Sequence, residues 1–144
     1  MRVYLDACCF NRPFDGQEQA RVRLEADAKL RIQERILAGE IELAWSYILD
    51  FENAANPFDE RREAIASWRS ISVVDLSETP DILARAKSLA RLGLRSKDAL
   101  HVACAFEAGC TYFITTDDGI LNRLANYAEI AAVDPTSFVR RTEP

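Results

Sequence analysis

The sequence contains few of the residues that interrupt or cross-link a chain. Its 144 residues include 5 glycines, 5 prolines, 4 cysteines and one histidine. So little glycine and proline leaves little material for long loops or linkers, which predicts a single domain over residues 1–144. The cysteines form no C-x-x-C pair, and one histidine cannot complete the usual zinc ligand sets. We therefore expect free thiols, mostly buried, in a reducing cytoplasm.

Long apolar runs are also missing. No run approaches the ~18–20 residues that a membrane span needs, and Asp6 interrupts the first apolar run, so we expect neither a membrane segment nor a signal peptide. The net charge of −5 argues against a protein that only coats nucleic acid, because phosphate contacts need many basic residues. It does not exclude nucleic acid, since a metal ion can bridge an acidic site and a phosphate.

Strand-like and helix-like segments alternate along the chain. Short apolar runs predict strands at Val3–Leu5, Ile41–Ala44, Ile71–Val74, Tyr112–Ile114 and Glu129–Val133. Amphipathic segments separate these runs. Such alternation predicts an α/β fold with three α/β/α layers, in which a parallel sheet of about five strands has helices on both faces.

The longest predicted helix covers residues 17–38. Apolar residues recur there at every fourth position and are expected to face the core: Leu24, Ala28, Ile32 and Ile36. Charged residues with the same spacing are expected on another face: Arg21, Glu25 and Lys29. Serines are expected to cap three other helices: Ser46, Ser77 and Ser96. Residues 7–16, ACCFNRPFDG, are predicted to be irregular.

Four acidic positions are predicted to meet at one edge of the sheet. Asp6 ends the first strand, and Asp117 follows the fourth. Asp98 begins a helix that leads back to the fourth strand, so its start lies at the same edge. The helix after the second strand carries both Asp50 and Glu52, and its composition alone does not choose between them.

A cluster of carboxylates favours a bound cation. Like charges at short range oppose joint ionisation, and a divalent ion removes that cost. Oxygen ligands suit Mg²⁺ or Mn²⁺ better than Zn²⁺. Such an ion can activate water and stabilise charge on a phosphoryl oxygen, so the pattern favours metal-assisted phosphodiester hydrolysis.

Four sequence blocks resemble the PIN-domain family, and most closely its VapC-type toxins: VYLDACCF, SYILDFENA, RSKDALHVACA and FITTDDGI. The resemblance implies a set of acids that are both catalytic and metal-binding: Asp6, Glu52, Asp98 and Asp117. It selects Glu52 over Asp50, because the family's serine precedes the acid by six residues. It also implies a supporting hydroxyl at Thr115.

The same resemblance implies a function. Members are typically Mg²⁺- or Mn²⁺-dependent endoribonucleases that cut single-stranded or looped RNA. The expected role is the toxin of a type II toxin–antitoxin pair, with a cognate antitoxin protein and a second copy of the chain as partners. One departure is Ala7-Cys8, where the family usually has Ser, Thr or Asn. This departure favours the alternative of a catalytically weak PIN domain that binds RNA or protein.

Further residues are expected near the acids. Asp118 and His101 are predicted as supporting residues, with His101 hydrogen-bonded to Asp98 because the two lie three positions apart on one helix. Contacts to the RNA backbone are predicted for Asn11, Arg12 and Lys97. The large aromatic residues are expected in the core or at a dimer surface: Trp45, Tyr47 and Trp68.

Two other acidic-edge folds fit poorly. A phosphoacceptor receiver needs a lysine late in the chain, and no lysine follows Lys97. A phosphatase of the aspartyl-phosphate type needs a second acid two residues after Asp6, where Cys8 stands.

Overall fold

A five-stranded parallel sheet forms the centre of the molecule in the computed structural model, which describes residues 1–16 and 19–143. The strands are β1 Arg2–Leu5, β2 Glu42–Ser46, β3 Val74–Leu76, β4 Tyr112–Ile114 and β5 Ala131–Val133. Their order across the sheet is β3-β2-β1-β4-β5. Tyr4 of β1 pairs with Ala44 on one side and Phe113 on the other. The winding of the chain therefore reverses at β1, which is where parallel sheets usually place a site.

Helices cover both faces of this sheet, as the sequence predicts. They are α1 Ala7–Asn11, α2 Ala20–Leu37, α3 Tyr47–Ala54, α4 Asp59–Ala66, α5 Pro80–Ala90, α6 Ser96–Glu107, α7 Asp118–Arg123 and α8 Pro135–Thr142. Short 3-10 turns lie at Arg12–Phe14 and Ser67–Ile71. Among the residues described, no helix has both the length and the apolar character needed to cross a bilayer.

Aromatic rings fill the core around β1. Tyr4 stacks on Phe113 with ring centroids 5.6 Å apart, and Phe10 meets Trp45 edge-on at 5.3 Å. All four side chains are fully buried. Burial of a large apolar side chain contributes about 1.5–3 kcal/mol, so these rings fix the end of β1 firmly. Trp45 lies in the core as predicted; Tyr47 and Trp68 are half-buried against it.

The faces of α2 differ from the prediction. This helix begins at Ala20, and residues 17 and 18 lie outside the described part of the chain. Leu24, expected in the core, is 59% exposed, whereas Glu25 and Lys29 of the charged face are each 3% exposed. These two are buried, while Arg21 of the same ladder is exposed, because α2 packs on two sides, against α8 and against the 3-10 turn at residues 12–14.

Each buried charge of α2 has its own partners. The Glu25 carboxylate pairs with Arg12 at 3.1 Å and with Arg21 at 3.5 Å. The Lys29 ammonium lies over two aromatic rings, 5.1 Å from the centroid of Phe10 and 5.6 Å from that of Trp68. Burial lowers the pKa of Lys29 to about 7.

The third strand and two helix starts also lie elsewhere than predicted. Strand β3 begins at Val74 rather than at residue 71, because residues 67–71 continue α4 as a 3-10 turn. Thr79, not Ser77, caps α5 and accepts a hydrogen bond from the backbone of Ile82. Ser96 lies inside the first turn of α6. The prediction for Ser46 is confirmed, since it caps α3.

The segment predicted as irregular is helical. Helix α1 starts directly after β1, and its N-cap is Asp6, whose carboxylate accepts a hydrogen bond from the backbone of Ala7 at 2.8 Å. A 3-10 turn follows at residues 12–14, with Pro13 in its first turn. The first acid of the predicted site is thus held by the start of a helix.

Candidate metal centre

The four predicted acids lie at the carboxyl edge of the sheet. Asp6 follows β1, Glu52 lies on the helix after β2, Asp98 lies in the first turn of α6, and Asp117 caps the helix after β4. Glu52, Asp98 and Asp117 line one cleft. The fold therefore brings together side chains that are separated by up to 111 positions, from 6 to 117 in the sequence.

The Asp6 carboxylate is held at both oxygens. Oδ1 accepts from the backbone of Ala7 at 2.8 Å, and Oδ2 accepts from the hydroxyl of Thr115 at 2.8 Å. The side chain is almost completely buried. Such a carboxylate cannot turn freely, so its remaining lone pairs have fixed directions.

Thr115 connects two of the acids. Its fully buried hydroxyl donates to Asp6 and accepts from the backbone N–H of Asp117 at 3.1 Å. Asp117 in turn accepts from the backbone of Ile120 at 3.1 Å through Oδ1. A Cβ at Gly119 would lie 3.0 Å from that same oxygen, so glycine leaves space for the carboxylate. One hydroxyl thus links the acid that follows β1 to the acid that follows β4.

Cys8 occupies the position of the family's usual hydroxyl. Its thiol lies 3.6 Å from Asp6 Oδ2 and 3.5 Å from Thr115 Oγ1, and it accepts from the backbone of Thr116 at 3.4 Å. A thiol is a weak hydrogen-bonding group. The strong hydrogen bond to Oδ2 comes from Thr115 instead. The structure records all four cysteines as free; Cys8 is half-buried and the other three are buried.

His101 holds Glu52 from the core. Its Nε2 lies 2.8 Å from Glu52 Oε1, and its Nδ1 lies 2.6 Å from the hydroxyl of Tyr4. The prediction that His101 binds Asp98 is therefore wrong, because both ring nitrogens have other partners. A carboxylate only accepts hydrogen bonds, so Nε2 carries a proton. This hydrogen bond is the largest cause that lowers the pKa of Glu52, against the effect of burial.

Tyr4 and Ser46 extend this connection into the sheet. The Tyr4 hydroxyl lies 2.6 Å from Ser46 Oγ, and Ser46 also accepts from the backbone of Leu49 at 3.4 Å. Nothing in the sequence singles out Tyr4, which stands in the short apolar strand β1. A buried tyrosine that meets a histidine from another helix is visible only in three dimensions.

Asp50 is engaged outside the cluster. Its Oδ1 accepts from the indole N–H of Trp45 at 2.9 Å, and its Oδ2 lies 3.6 Å from Arg69. Glu52 faces the cleft that contains Asp98 and Asp117. The geometry thus agrees with the choice of Glu52 that the family resemblance implies.

The pKa of Asp98 is raised by burial and by the other three acids of the edge. Burial raises its pKa most, followed by the negative charges of Asp6 and Asp117, and Glu52 adds a smaller contribution. Arg95 and Lys97 line the same cleft and supply positive charge at its rim.

The donor set fits a divalent cation in its chemistry. Carboxylate oxygens are the ligands that Mg²⁺ or Mn²⁺ prefers. Within residues 1–16 and 19–143, no three histidine, cysteine or acidic side chains converge into a ready-made cation site. The acids therefore share an edge of the sheet, and their role as metal ligands stays a prediction.

The other predicted site residues divide into two groups. Asp118 forms a two-pronged ion pair with Arg21, at 2.8 and 2.9 Å, on the exposed side of the edge. Arg12 binds Glu25 and also Asp15, the latter at 3.2 Å. These contacts give both side chains a structural task.

Two predicted RNA contacts lie beside Glu52. Asn11 lines a second cleft, which Glu52 also lines. The Asn11 side chain donates to the carbonyl of Ala7 and accepts from the amide of Asn56. Lys97 lines the cleft that Glu52 shares with Asp98. The roles of Asn11, Arg12 and Lys97 in binding RNA stay predictions.

Comparison with solved structures shows the same fold in toxin–antitoxin complexes. VapBC-1 from nontypeable Haemophilus influenzae has a TM-score of 0.60 at 17% identity, with 94% of this chain and 99% of that chain covered. A toxin–antitoxin complex from Klebsiella pneumoniae gives 0.60 at 16% identity, with 92% and 97% covered. DNA-bound VapBC from Salmonella typhimurium gives 0.57 at 17% identity, with 94% and 98% covered.

Sequence comparison gives a family but no individual relative. No curated protein sequence matches the chain significantly. The family model of the PIN domain matches residues 3–127, which include β1 except its first residue, all of β4 and all four acids. The chain belongs to the PIN-domain family.

Proposed function

We propose that this chain is a divalent-metal-dependent endoribonuclease. The observation that carries the proposal is the position of the acids: Glu52, Asp98 and Asp117 line one cleft, and the hydroxyl of Thr115 joins Asp6 to the backbone of Asp117. Asp6 and Asp117 cap helices, but capping does not require Glu52 and Asp98 at the same edge, where like charges repel. A site that binds a cation and a phosphate is the use that offsets this cost.

The ion would be held by the four carboxylates of Asp6, Glu52, Asp98 and Asp117. A bound Mg²⁺ or Mn²⁺ lowers the pKa of water and neutralises charge on a phosphate. The chain's own residues orient the ligands: Thr115 and the backbone of Ala7 hold Asp6, and His101 holds Glu52.

The comparisons support a biological role. The three solved structures described above are two VapBC structures and a toxin–antitoxin complex, and their folds cover almost the whole of this chain. We propose that the chain is the toxin of such a pair, acts on RNA in the cytoplasm, is bound by a cognate antitoxin and forms a homodimer.

The test is RNA cleavage by the purified chain with Mn²⁺ or with EDTA. Asp98→Asn keeps the size of the side chain and removes its charge, so we expect cleavage to fall more than about 100-fold, beyond the loss typical of residues that only orient a metal ligand. The matched controls are Asp50→Asn and Asp118→Asn, whose carboxylates have other partners. Equal cleavage in EDTA, or an Asp98→Asn variant with unchanged cleavage, contradicts the proposal.

A second candidate function rests on Cys8. The thiol stands where the family usually has Ser, Thr or Asn, and it is a weaker partner for Asp6. A PIN domain that binds RNA or protein with little cleavage is the corresponding function. Folded wild-type chain that binds RNA and does not cut it in Mn²⁺ supports this candidate, and Cys8→Ser then tests whether a hydroxyl restores cleavage.

A further inference from the structure

The exposed phenylalanines of the chain lie in one region. The sequence has seven phenylalanines, all within the described residues. Three are strongly exposed: Phe14 at 44%, Phe51 at 61% and Phe58 at 58%. Phe51 directly precedes Glu52, and Phe58 lines a cleft that includes Glu52. Exposed aromatic surface is unfavourable in water, so the grouping of these rings near Glu52 indicates a surface that binds a ligand.

Each of these rings has a cation beside it. The Lys97 ammonium lies 5.3 Å from the centroid of Phe51. The Arg61 guanidinium lies 4.7 Å from the centroid of Phe58 and 5.3 Å from that of Phe14. A cation over an aromatic face provides both a flat surface for stacking and positive charge for a phosphate.

The rings lie in two clefts that meet at Glu52. One cleft contains Phe51 and Lys97 together with Asp98 and Asp117. The other has a volume of about 230 Å³ and contains Phe58 and Arg61. Glu52 and Ala55 line both. A strand of nucleic acid that crosses the acids would therefore meet an aromatic ring and a cation on each side.

We propose that Phe51 and Phe58 are stacking platforms for unpaired bases of RNA, one in each of the two clefts that share Glu52. Lys97 and Arg61 neutralise the backbone phosphates next to each base. The proposal rests on the proposed function, since it assigns the substrate's position at that same site. The bases of a duplex are already stacked and cannot reach the rings, so binding through the two phenylalanines requires unpaired bases.

Charge favours RNA over an apolar protein segment as the occupant. A protein partner that only buried Phe51 and Phe58 would gain little from Lys97 and Arg61 and would have to desolvate them. A polyanion gains from both cations and also needs them, because the chain has a net charge of −5 and three of the four acids, Glu52, Asp98 and Asp117, line the same clefts.

The experiment measures binding of a fluorescently labelled single-stranded RNA of mixed sequence by anisotropy at fixed salt. It uses the full chain in EDTA, and an Asp98→Asn background with Mn²⁺, so that binding is separated from cleavage. Phe51→Leu and Phe58→Leu keep the apolar character and remove the flat ring. Phe51→Trp and Phe58→Trp keep a ring. The control is Leu37→Ala, which alters a 63% exposed residue on α2.

We expect each leucine variant to bind about 5- to 150-fold more weakly, since this is the range for loss of one base stack. The tryptophan variants and Leu37→Ala should bind like the wild type. Competition by double-stranded RNA should be weaker than by the single strand.

Other outcomes separate this proposal from the nuclease proposal. Leucine variants that bind like the wild type overturn the stacking platforms, and Mn²⁺-dependent cleavage then leaves the nuclease intact. If Phe51→Ser and Phe58→Ser also abolish dimerisation in light scattering, the region is a contact between two copies of the chain. A wild-type chain that binds no single-stranded RNA under either condition overturns the platforms as well. Weaker binding by the leucine variants without any cleavage by the wild type supports the platforms and contradicts the nuclease.

Discussion

The imidazole of His101 donates from Nε2 to Oε1 of Glu52 across 2.8 Å, which links the buried helix α6 to an acid of the candidate metal centre. The other ring nitrogen is 2.6 Å from the hydroxyl of Tyr4 on the central strand. The position of Glu52 is therefore fixed by two elements of the core, although Glu52 itself lies on the short helix α3.

The first prediction concerns His101. In His101→Leu the half-buried Glu52 loses the hydrogen bond that lowers its pKa, so the pKa of Glu52 should rise and Mn²⁺ affinity should fall about 10- to 100-fold. His101→Gln can still donate a hydrogen bond to the Glu52 carboxylate, so it should keep the pKa of Glu52 lower and the Mn²⁺ affinity higher than His101→Leu does. Carbon-13 NMR titration of the Glu52 carboxyl group and Mn²⁺ binding by electron paramagnetic resonance check this. Equal Mn²⁺ affinity in the leucine and glutamine variants would contradict it.

The second prediction concerns Thr115. Thr115→Val preserves the shape of the side chain and removes the hydroxyl that Asp6 and the backbone of Asp117 share. We expect Mn²⁺ affinity to fall about 10- to 100-fold and the variant to be destabilised by about 1–3 kcal/mol, since a buried carboxylate loses a hydrogen bond. Thr116→Val is the neighbouring control. Isothermal titration with Mn²⁺ and urea unfolding measure the two effects, and equal losses in the two variants would speak against a specific role of Thr115.

The third prediction concerns the effect of Asp98 on the stability of the metal-free chain. The folded chain raises the pKa of this acid, so folding is penalised at every pH above that pKa, and the penalty fades as the pH falls towards the ordinary value of 3.8. Asp98→Asn should therefore unfold at a higher temperature than the wild type at pH 7 without metal, and the difference should shrink towards pH 4.

The comparison is made by calorimetry in EDTA over this pH range. With Mn²⁺ the difference in unfolding temperature between the two proteins should become smaller or change sign, because only the wild type gains the full binding energy of the ion. A variant less stable than the wild type in EDTA at pH 7 would show that repulsion at this edge is not the dominant effect.

The fourth prediction concerns the buried Lys29. Its pKa is lowered to about 7 in the folded chain from 10.5, so the penalty for burying its charge is complete below pH 7 and disappears as the pH rises towards 10.5. Lys29→Met should stabilise the chain at pH 6 by on the order of 3 kcal/mol, with a smaller gain at pH 9. Thermal unfolding at the two pH values measures this. A gain that does not depend on pH would show that Lys29 stays charged when buried, held by the rings of Phe10 and Trp68.

The sequence was sufficient for the sheet and for the edge on which the acids lie. Apolar runs gave four of the five strands within about two residues, because buried parallel strands need little else. The third failed, since the β-branched run at 71–74 sits partly in a 3-10 turn and β3 begins only at Val74. The partners of helix α2 were also missed. A charge ladder is typical of a solvent face, and only the three-dimensional contacts of Glu25 with Arg12 and of Lys29 with the rings of Phe10 and Trp68 show that both charges are buried.

The acids were predictable and their neighbours were not. A carboxylate after a parallel strand is a local pattern, so Asp6 and Asp117 could be read from the order of elements. The partners of His101 could not be predicted from the sequence. Helical spacing pointed to Asp98, whereas the imidazole ring contacts Tyr4 and Glu52 on other segments. Hydrogen bonds between residues 49 and 97 positions apart have no periodicity that a sequence displays.

The placement of β1 between β2 and β4 has a consequence for the chain during its synthesis. Asp6 leaves the ribosome first, but the hydroxyl that holds it belongs to Thr115, and the strand that carries Thr115 to it is among the last to form. A nascent chain shorter than 117 residues cannot contain the whole acidic edge, since Asp117 follows four-fifths of the sequence. The site of the proposed nuclease is therefore incomplete for most of the chain's translation, and the messenger and ribosome that produce it meet the complete set of acids only after the last strands have paired.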